Sequence, residues 1–498
     1  MRWWKDCEEN HTECQIQSDA WLPTRLLDLY GPPKLVATSD YSTTPAPPYV
    51  ALSHRWGSEP EKIFKLESSN ESELMNLVPL EKLSRVFLDA IKFTRRVGIR
   101  YLWIDSLCIM QDSVSDWKAE AALISQVYAN CVLNITADPT DSTVPGMFRE
   151  RAYEELCYMS HHEKTIIRQN FHQSYILTMS KNFFVGFNEA RSLQRRAWVF
   201  QEHLLSPRTV HFSDQVFWEC RRMHASETFP RGDTQGGVRI SPKHWKSLIQ
   251  PGDHAHWYEV LRMYLKCELT FPSDRFIAIG AVAMQFGERL QTQYCAGLWQ
   301  DDMPSCLLWC FGATEGSVVT RQTTYRCPTW SWASLDIKSA INFHDATMVE
   351  TLGTEDAKKL VRVVDVKIES PFGNVYTDIT SAELLLNGRI GLVDSSTLAD
   401  CSPWCGPWTL GYILDLGPDS VEDLDVYLLP LVAVADNETD VVHSLLLKAS
   451  PGGKEATYER VGLARFSREL CPEELLWTFD MFDDDYCLED LPHQVTLV

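Results

Sequence analysis

Three short apolar runs, separated by two helical patterns, are the feature that most constrains the fold of this chain. The runs are residues 49–53, 101–104 and 131–136, and each has the length of a buried strand. Apolar side chains recur at helical spacing from residue 81 to residue 97, and Gly98 follows as a natural stop. Alternating strands and helices with short connections form parallel sheets with right-handed crossovers. We therefore predict that the three runs are adjacent parallel strands.

Polar residues follow all three runs, at the edge where a parallel sheet binds its ligands. Ser53, His54 and Arg55 end the first run, Asp105 follows the second, and Asp138 follows the third. Ligands of open parallel sheets bind beyond the carboxyl ends of the strands, so we expect these residues to border one cleft. His54 and Arg55 are suited to binding a phosphate or a carboxylate, and a brace between strand ends is the alternative. For Asp105 the alternatives to a ligand contact are a helix cap and an ion pair with Arg55.

The charge of the chain excludes several classes of partner. With a formal net charge of -22, it is not expected to bind nucleic acid or an anionic membrane. No apolar signal segment follows Met1, and no apolar run approaches the ~20 residues of a membrane helix. The 15 cysteines are scattered, which indicates reduced thiols. We expect a cytoplasmic protein whose partner is a small-molecule substrate or another protein, with self-association left open.

Composition and pattern predict an α/β fold divided into four regions. Residues 31–48 hold five prolines, which indicates a loop or linker, and β-branched strand patterns become frequent after residue 332. Residues 242–312 have a mostly helical pattern. The four regions are a lead-in with a Pro-rich linker (1–48), an α/β core (49–220), a mainly helical extension (221–325) and a β-rich C-terminal region (326–498).

Four strings stand out in this sequence: YVALSHRWG (residues 49–57), LWIDSLCIMQD (102–112), the helical stretch 116–128 and RAWVFQEHLLS (196–206). We expect Asp116 to cap the helix of the third string, whose inner face is Trp117, Ala121, Ile124 and Tyr128. The four strings resemble the signature blocks of the HET (heterokaryon incompatibility) domain of filamentous fungi. The likeness continues in AGLW (296–299) and in PTWSWAS (328–334), where Thr329 stands in place of the family's usual Ser. It covers nearly the whole chain.

The resemblance implies a TIR-like, flavodoxin-like parallel sheet core, because the HET domain is regarded as a remote relative of the TIR domain. Many TIR domains cleave NAD with a Glu four residues after a Trp, and Trp198 and Glu202 have this spacing here. Residues four apart share one face of a helix. Two features depart from the TIR pattern, namely Val199 in place of a Cys and a long insertion before this helix. NAD is then a substrate, and no cofactor is expected.

Glu202 and Asp105 are the predicted catalytic residues. A carboxylate such as Glu202 is able to steady an oxocarbenium-like centre during glycosidic cleavage, and the alternative is a buried ion pair with a nearby arginine. The arginines close to Glu202 in sequence are Arg195, Arg196 and Arg208. The predicted substrate-binding residues are Ser53, His54, Arg55, Trp56 and Trp198.

Metal and nucleotide motifs are weak or missing. Cys7, His11 and Cys14 have ligand-type side chains, but only three are visible and their order matches no strong zinc spacing. We interpret them as one face of a helix and predict no metal site. The sequence has no Gly-rich dinucleotide motif, phosphate loop, zinc protease motif or serine hydrolase elbow.

The resemblance leaves three functions open. The first is a cell-death effector of non-self recognition that acts by cleaving NAD. The second is a cofactor-free biosynthetic enzyme of the Diels–Alder type, because such a cyclase needs only a shaped apolar pocket and a few hydrogen-bond donors, and the chain has 17 tryptophans. The third is a binding module without catalytic activity.

Overall fold

The computed structural model describes most of the chain as two compact units, Met1–Pro251 and Gly252–Val498. The described residues are 2–137, 146–149, 165–178, 193–230, 246, 253–311, 318–338, 357–393, 411–416, 425–471, 477–478 and 493–498, interrupted by gaps of at most four residues.

Helices are concentrated in the first 290 residues of the described chain. They are α1 (Arg2–Asn10), α2 (Glu71–Asn76), α3 (Arg85–Arg96), α4 (Asp105–Cys108), α5 (Val114–Asn130), α6 (Ala197–Leu205), α7 (His254–Tyr264) and α8 (Ile277–Leu290). Short 3₁₀ turns occupy Thr12–Cys14, Leu80–Lys82, Pro272–Arg275, Gln300–Asp302, Ser305–Leu308 and Trp332–Ser334.

Unit 1 contains an eight-stranded mixed sheet and a separate hairpin formed by β6 and β7. Its strands are β1 (Arg25–Asp28), β2 (Lys34–Ala37), β3 (Tyr49–His54), β4 (Tyr101–Ile104), β5 (Leu133–Ala137), β6 (Thr165–Asn170), β7 (Gln173–Thr178), β8 (Arg208–Phe212), β9 (Val216–Cys220) and β10 (His224–Ser226).

The centre of this sheet is parallel, as the sequence predicts. The strand order is β10-β9-β8-β5-β3-β4-β1-β2. Strand β3 pairs in parallel with both β4 and β5, and β5 pairs in parallel with β8. All residues of β3, β4 and β5 are buried, which explains why these strands are continuous apolar runs rather than alternating ones.

An antiparallel hairpin extends the parallel core on each side. Strands β1 and β2 form one, and β1 also pairs antiparallel with β4. Strands β9 and β10 form the other and join the sheet through β8. The Pro-rich stretch 31–48, predicted as a loop, thus contributes an edge strand, which agrees with the tolerance of sheet edges for nearby prolines.

The helices between the parallel strands begin and end at identifiable capping residues. Ser84 accepts a hydrogen bond from the Phe87 amide at the start of α3, and Gly98 follows that helix with a φ of 83°. Helix α5 begins at Val114, because the Ser113 side chain accepts from the Asp116 amide. Asp116 is therefore not the cap, contrary to the sequence prediction.

The buried face of α5 also differs from the predicted one. Glu120, Val127 and Tyr128 are buried, whereas Trp117 is exposed. The Asp116 carboxylate turns toward β1 and forms an ion pair with Arg25 at 2.6 Å.

Unit 2 combines helices α7 and α8 with a β-rich region, as predicted for the C-terminal part of the chain. Its strands are β11 (Tyr294–Cys295), β12 (Leu298–Trp299), β13 (Val318–Arg321), β14 (Leu335–Lys338), β15 (Lys358–Lys359), β16 (Arg362–Glu369), β17 (Ser381–Gly388), β18 (Gly391–Val393), β19 (Gly411–Leu414), β20 (Val426–Ala435), β21 (Asp440–Ala449), β22 (Thr457–Ser467) and β23 (His493–Leu497). The main sheet has the order β15-β20-β21-β22-β23-β17-β16, with β18 and β19 paired to β20 and β22.

The AGLW string (296–299) and the PTWSWAS string (328–334) contact each other inside unit 2. The Trp332 indole N–H donates to the carbonyl of Gly297 at 2.9 Å, and Ser331 Oγ donates to the carbonyl of Ala296 at 2.6 Å. Trp330 and Trp332 are fully buried. The Trp-Ser-Trp string therefore packs inside unit 2.

Among the described residues, no helix combines the length and the apolar character needed to cross a membrane.

Candidate functional site

The carboxyl edge of the parallel strands gathers the polar residues that the sequence singles out. Ser53 and His54 are the last two residues of β3, and Asp105 directly follows β4 as the first residue of α4. Because β3 and β4 are parallel neighbours in register from Tyr49 to Leu52, their ends lie side by side. The third predicted position, Asp138, lies outside the described residues.

Helix α6 brings Glu202 to the end of β3. The Ser53 hydroxyl lies 2.5 Å from Glu202 Oε2 and 3.2 Å from Asn134 Oδ1 on the neighbouring strand β5. Pro207 follows the helix, and Ser206 donates to the Glu202 carbonyl twice, from its backbone N–H at 3.4 Å and from its Oγ at 2.6 Å. Ser53, Asn134 and Glu202 thus form one hydrogen-bonded row.

This row is informative about protonation, because the Ser53 hydroxyl has one proton and two acceptors beside it. If Glu202 is protonated, its O–H donates to Ser53 Oγ while Ser53 donates to Asn134. If Glu202 is ionised, Ser53 donates to Glu202, and the Asn134 amide is satisfied by turning its Nδ2 toward Ser53. In both states Ser53 keeps one hydrogen bond to Glu202 and one to Asn134, so the row is able to hold or release one proton.

The pKa of Glu202 is raised to about 7. Burial is the main cause, and the negative charge of Asp105 adds to it, while the hydrogen bond from Ser53 and the charge of Arg196 oppose it. Glu202 nevertheless keeps part of its surface exposed. Residues that line ligand sites are typically packed on most sides and open on one, as Glu202 is here.

Asp105 is fixed by neighbours on two elements. Its carboxylate accepts from the Trp56 indole N–H at 2.9 Å and from the amide of Ser106 at 2.6 Å. It also lies 3.6 Å from His54 Nδ1. About a third of the Asp105 side chain stays exposed, so it is available to a ligand. These contacts of Asp105 are with Trp56, Ser106 and His54 and do not include Arg55, so they do not support the predicted alternative of an ion pair between Asp105 and Arg55.

His54 is buried beside Asp105 and Phe87. Burial lowers the pKa of the imidazole, although the charge of Asp105 opposes this shift, so His54 is held neutral at pH 7. Neither ring nitrogen has a hydrogen-bond partner among the described residues. Its backbone carbonyl accepts from Arg196 Nη1 at 3.4 Å, which connects the end of β3 to the start of α6.

The remaining predicted residues differ in how closely they join this site. Trp198 lies on α6 four residues before Glu202, and these two are the half-exposed residues of a helix whose other side chains are buried. This burial pattern agrees with a shared face. Arg55 follows β3 and is exposed, so the strand end carries its positive charge into solvent.

Tyr128 is a site residue that the sequence analysis assigned only to the core. It is buried at the end of α5, where its hydroxyl lies 3.4 Å from the Leu52 carbonyl. Its hydrogen bond to Glu202 lowers the pKa of that carboxyl, and burial raises the pKa of the phenol well above its usual value. An apolar helical pattern does not distinguish a packing tyrosine from one that reaches a site, so no sequence signal marked it.

A second polar cluster lies on the buried side of α6. The His203 ring bonds to the Glu219 carboxylate, and His211 Nε2 lies 3.5 Å from the same carboxylate. Lys246 Nζ bonds to the carbonyls of His203 and Ser206. Burial opposes ionisation of Glu219, but the hydrogen bonds and charges of His203, His211 and Lys246 prevail and hold its pKa well below the usual value.

Two groups of described residues have the side chains to hold a metal ion. One is the His203, His211 and Glu219 cluster, whose negative charge Lys246 already balances. The other consists of Cys7, His11, Cys14 and Cys220. The prediction that the first three share one helix face is wrong, because α1 ends at Asn10 and Cys14 closes a separate turn.

Comparison with known proteins identifies the part of the chain that carries this site. Residues 49–202 match the family model described as heterokaryon incompatibility protein (HET). The matched range begins at the first residue of β3 and ends at Glu202. No curated protein and no solved structure matches the chain. Residues 49–202, which include strands β3 to β5 and helix α6 as far as Glu202, therefore form a HET domain of the heterokaryon-incompatibility type.

Proposed function

We propose that the chain is a cell-death effector of non-self recognition whose HET domain cleaves the bond between nicotinamide and ribose in NAD. The observation that carries this proposal is Glu202, a carboxyl with a pKa near 7 at the ends of parallel strands, hydrogen-bonded to Ser53 and close to the charge of Asp105. Perturbed carboxyls at strand ends are typical of working sites. The spacing of Trp198 and Glu202, which resembles the TIR pattern, adds support.

The proposed chemistry requires little beyond these groups. The C–N bond to nicotinamide breaks, and its electron pair leaves with nicotinamide, which needs no protonation because the bound ring carries a positive charge. Ionised Glu202 stabilises the oxocarbenium-like ribose and accepts the proton of the attacking water, whose oxygen forms the new bond to the ribose carbon. The products are ADP-ribose, nicotinamide and one proton.

Neighbouring groups are suited to hold such a substrate. The Trp56 and Trp198 rings offer half-exposed aromatic surface. His54 has two buried ring nitrogens without a hydrogen-bond partner among the described residues, and Arg55 offers an exposed guanidinium for a phosphate. A neutral His54 would accept or donate one hydrogen bond without adding charge beside Asp105.

The test is release of nicotinamide from NAD by the purified chain, together with killing of the cells that express it. Glu202→Gln keeps the shape and removes the charge, so both activities should fall by at least about 100-fold, the scale of a lost acid–base group. Glu120→Gln is the matched control, because Glu120 is also a buried carboxyl with a raised pKa but bonds to Thr24 near Arg25. The control should keep both activities.

The pH dependence sharpens this test. If ionised Glu202 is the working form, NAD cleavage rises with pH and reaches half its maximum near pH 7. Ser53→Ala removes the hydrogen bond that lowers the pKa of Glu202, so the midpoint should move to higher pH. A wild-type chain that neither releases nicotinamide nor kills cells would refute the proposal, and a shape-dependent cyclase would then be the remaining enzyme.

A further inference from the structure

We propose that Cys7, His11, Cys14 and Cys220 form a structural zinc site that fastens the N-terminal segment to the edge of the eight-stranded sheet. The ligand atoms of these four residues all lie within 4.8 Å of one another. The three cysteines are fully buried, and His11 is half-buried. Three thiolates and one imidazole are a ligand set typical of structural zinc, in which protein atoms close the coordination sphere.

Local structure brings the ligands together from two distant parts of the chain. Cys7 lies in α1, and the backbone N–H of His11 closes the end of that helix on the Cys7 carbonyl at 3.2 Å. Cys14 ends the following 3₁₀ turn, with its N–H bonded to the His11 carbonyl at 3.2 Å. Cys220 ends β9, and its N–H bonds to the Met223 carbonyl across the turn into β10.

The spacing of the atoms fits a tetrahedral ion. With Zn–S about 2.3 Å and Zn–N about 2.05 Å, a tetrahedron places sulfur and nitrogen about 3.5 Å apart and two sulfurs about 3.8 Å apart. Cys220 Sγ lies 3.4 Å from His11 Nδ1, and no pair of ligand atoms exceeds 4.8 Å. A centre between the four atoms is thus within bonding reach of each after small side-chain rotations.

The charge around the cluster also indicates a metal–thiolate centre. Arg208 is buried, and its Nε donates to Cys7 Sγ at 3.2 Å. Among the described residues, no carboxylate forms an ion pair with this guanidinium, and an unpaired buried cation is costly. Three thiolates and Zn²⁺ carry a net charge of about −1, which Arg208 neutralises. Four neutral side chains, or a disulfide and a thiol, leave that cation without an anion.

A metal ion explains what holds the N-terminal segment. Helix α1 has nine residues, of which Trp4 and Cys7 are buried, so apolar burial contributes little. An isolated helix of this length is not stable in water. Hydrogen bonds from Arg221 Nη1 to the Glu13 carbonyl and from Trp3 Nε1 to the Pro230 carbonyl connect it to the hairpin region, but both lie at or near the surface. A closed zinc site adds a strong cross-link at the centre of this contact.

The experiment is a metal assay on the untagged full chain, purified under reducing conditions and gel-filtered after incubation with Zn²⁺. We expect about one tightly held zinc per chain. Reconstitution with Co²⁺ should give the thiolate-to-metal absorption of a tetrahedral site, which does not depend on any variant folding. A reduced wild-type chain that retains no zinc and gives no such absorption would overturn the proposal, as would a disulfide between two of these cysteines in the native protein.

Matched variants separate ligation from general damage to the fold. His11→Ala and Cys220→Ala should lose the bound zinc, whereas His11→Cys should retain it, because four thiolates also bind zinc tetrahedrally. Cys108→Ala removes an equally buried thiol of unit 1 outside the cluster and should retain the metal. Equal zinc content in Cys220→Ala and Cys108→Ala would contradict the assignment. The readout is independent of NAD cleavage, so the two proposals fail separately.

Discussion

Glu202 and His203 are neighbours in sequence, yet their side chains enter two different polar clusters beside α6. Glu202 meets Ser53 at the strand ends, in partly open surroundings that raise its pKa to about 7. His203 bonds to Glu219 in the interior, where hydrogen bonds and nearby charges outweigh burial and hold the pKa of Glu219 well below its usual value. The pKa values of these two carboxyls are thus shifted in opposite directions. Because each shift makes the free energy of unfolding depend on pH, both are measurable by unfolding the protein at different pH values.

Glu202→Gln should stabilise the protein more at pH 8 than at pH 5. A carboxyl whose folded pKa exceeds its unfolded pKa binds more protons in the folded state, so stability falls as pH rises from about 4.5 to about 7. Gln does not titrate and avoids this loss. At 1.36 kcal/mol per pKa unit, discounted for partial exposure, the gain at pH 8 is about 1 to 3 kcal/mol. Urea unfolding of both proteins across this pH range measures it.

Glu219→Gln serves as the opposite control. A carboxyl with a depressed folded pKa stabilises the protein above its unfolded pKa, and this contribution is lost as pH falls. The destabilisation caused by Glu219→Gln should therefore be largest at pH 7 and above and shrink below about pH 4.5. If the effects of both substitutions were independent of pH, the environments assigned to these carboxyls would be incorrect.

The sequence predicts those site residues whose position follows from the ends of parallel strands, and it misses those that reach the site only through side-chain packing. Ser53 and Asp105 follow buried runs, and parallel pairing places such positions at one edge. The four-residue spacing and the family resemblance indicate Glu202. Tyr128 and Cys220 carry no comparable signal, because one is a position in an apolar helical pattern and the other is over 200 residues from Cys7 in the chain.

At the scale of the elements, buried strands are predicted well and helix surfaces less well. The predicted strands of the parallel core and the predicted β-rich region after residue 332 both have counterparts in the structure. The start of α5 and its buried face are missed, because Ser113 outcompetes Asp116 as the cap and Trp117 packs outward. Caps depend on a single side-chain rotamer, whereas a buried strand depends on a whole apolar run.

Strand β12 and the turn at Trp332 approach each other so closely at Gly297 that there is no space for a side chain at this position. Gly297 has a φ of 97°, and a Cβ there would lie 2.4 Å from Trp332 Nε1. The indole is buried and bonded to the Gly297 carbonyl, so it has no room to withdraw. Gly297→Ala should destabilise the protein by about 2 to 4 kcal/mol, from backbone strain and overpacking together. Thermal unfolding of the full chain measures this loss.

Gly452→Ala isolates the backbone part of that cost. Gly452 has a φ of 73° in the same unit, but nothing lies within 4 Å of a Cβ built there. Its substitution should cost only about 1 kcal/mol, the price of a left-handed alanine. Equal losses for the two variants would mean that the Trp332 contact contributes nothing.

At the scale of the whole molecule, the two units have separate cores. Unit 1 has the eight-stranded sheet with the strand-end site, and unit 2 has the nine-stranded sheet and the aromatic cluster of Trp257, Trp299 and Tyr294. The matched HET range ends at Glu202, but strands β8 to β10 continue the same sheet beyond it. The folding unit is therefore larger than the range that the family model recognises.

This difference predicts which fragment of the chain folds. A fragment of residues 1–251 includes the whole eight-stranded sheet, Lys246 and all four proposed zinc ligands, and its size suffices for a core of its own. It should unfold in one cooperative transition and bind zinc. A fragment of residues 1–207 retains the full HET match but lacks β8 to β10 and Cys220, which exposes the edge of β5 and leaves Glu202 without its supporting strands. We expect this shorter fragment to aggregate and to show no cooperative transition by circular dichroism. If residues 1–207 folded as well as residues 1–251, the HET match itself, rather than the complete sheet, would define the folding unit.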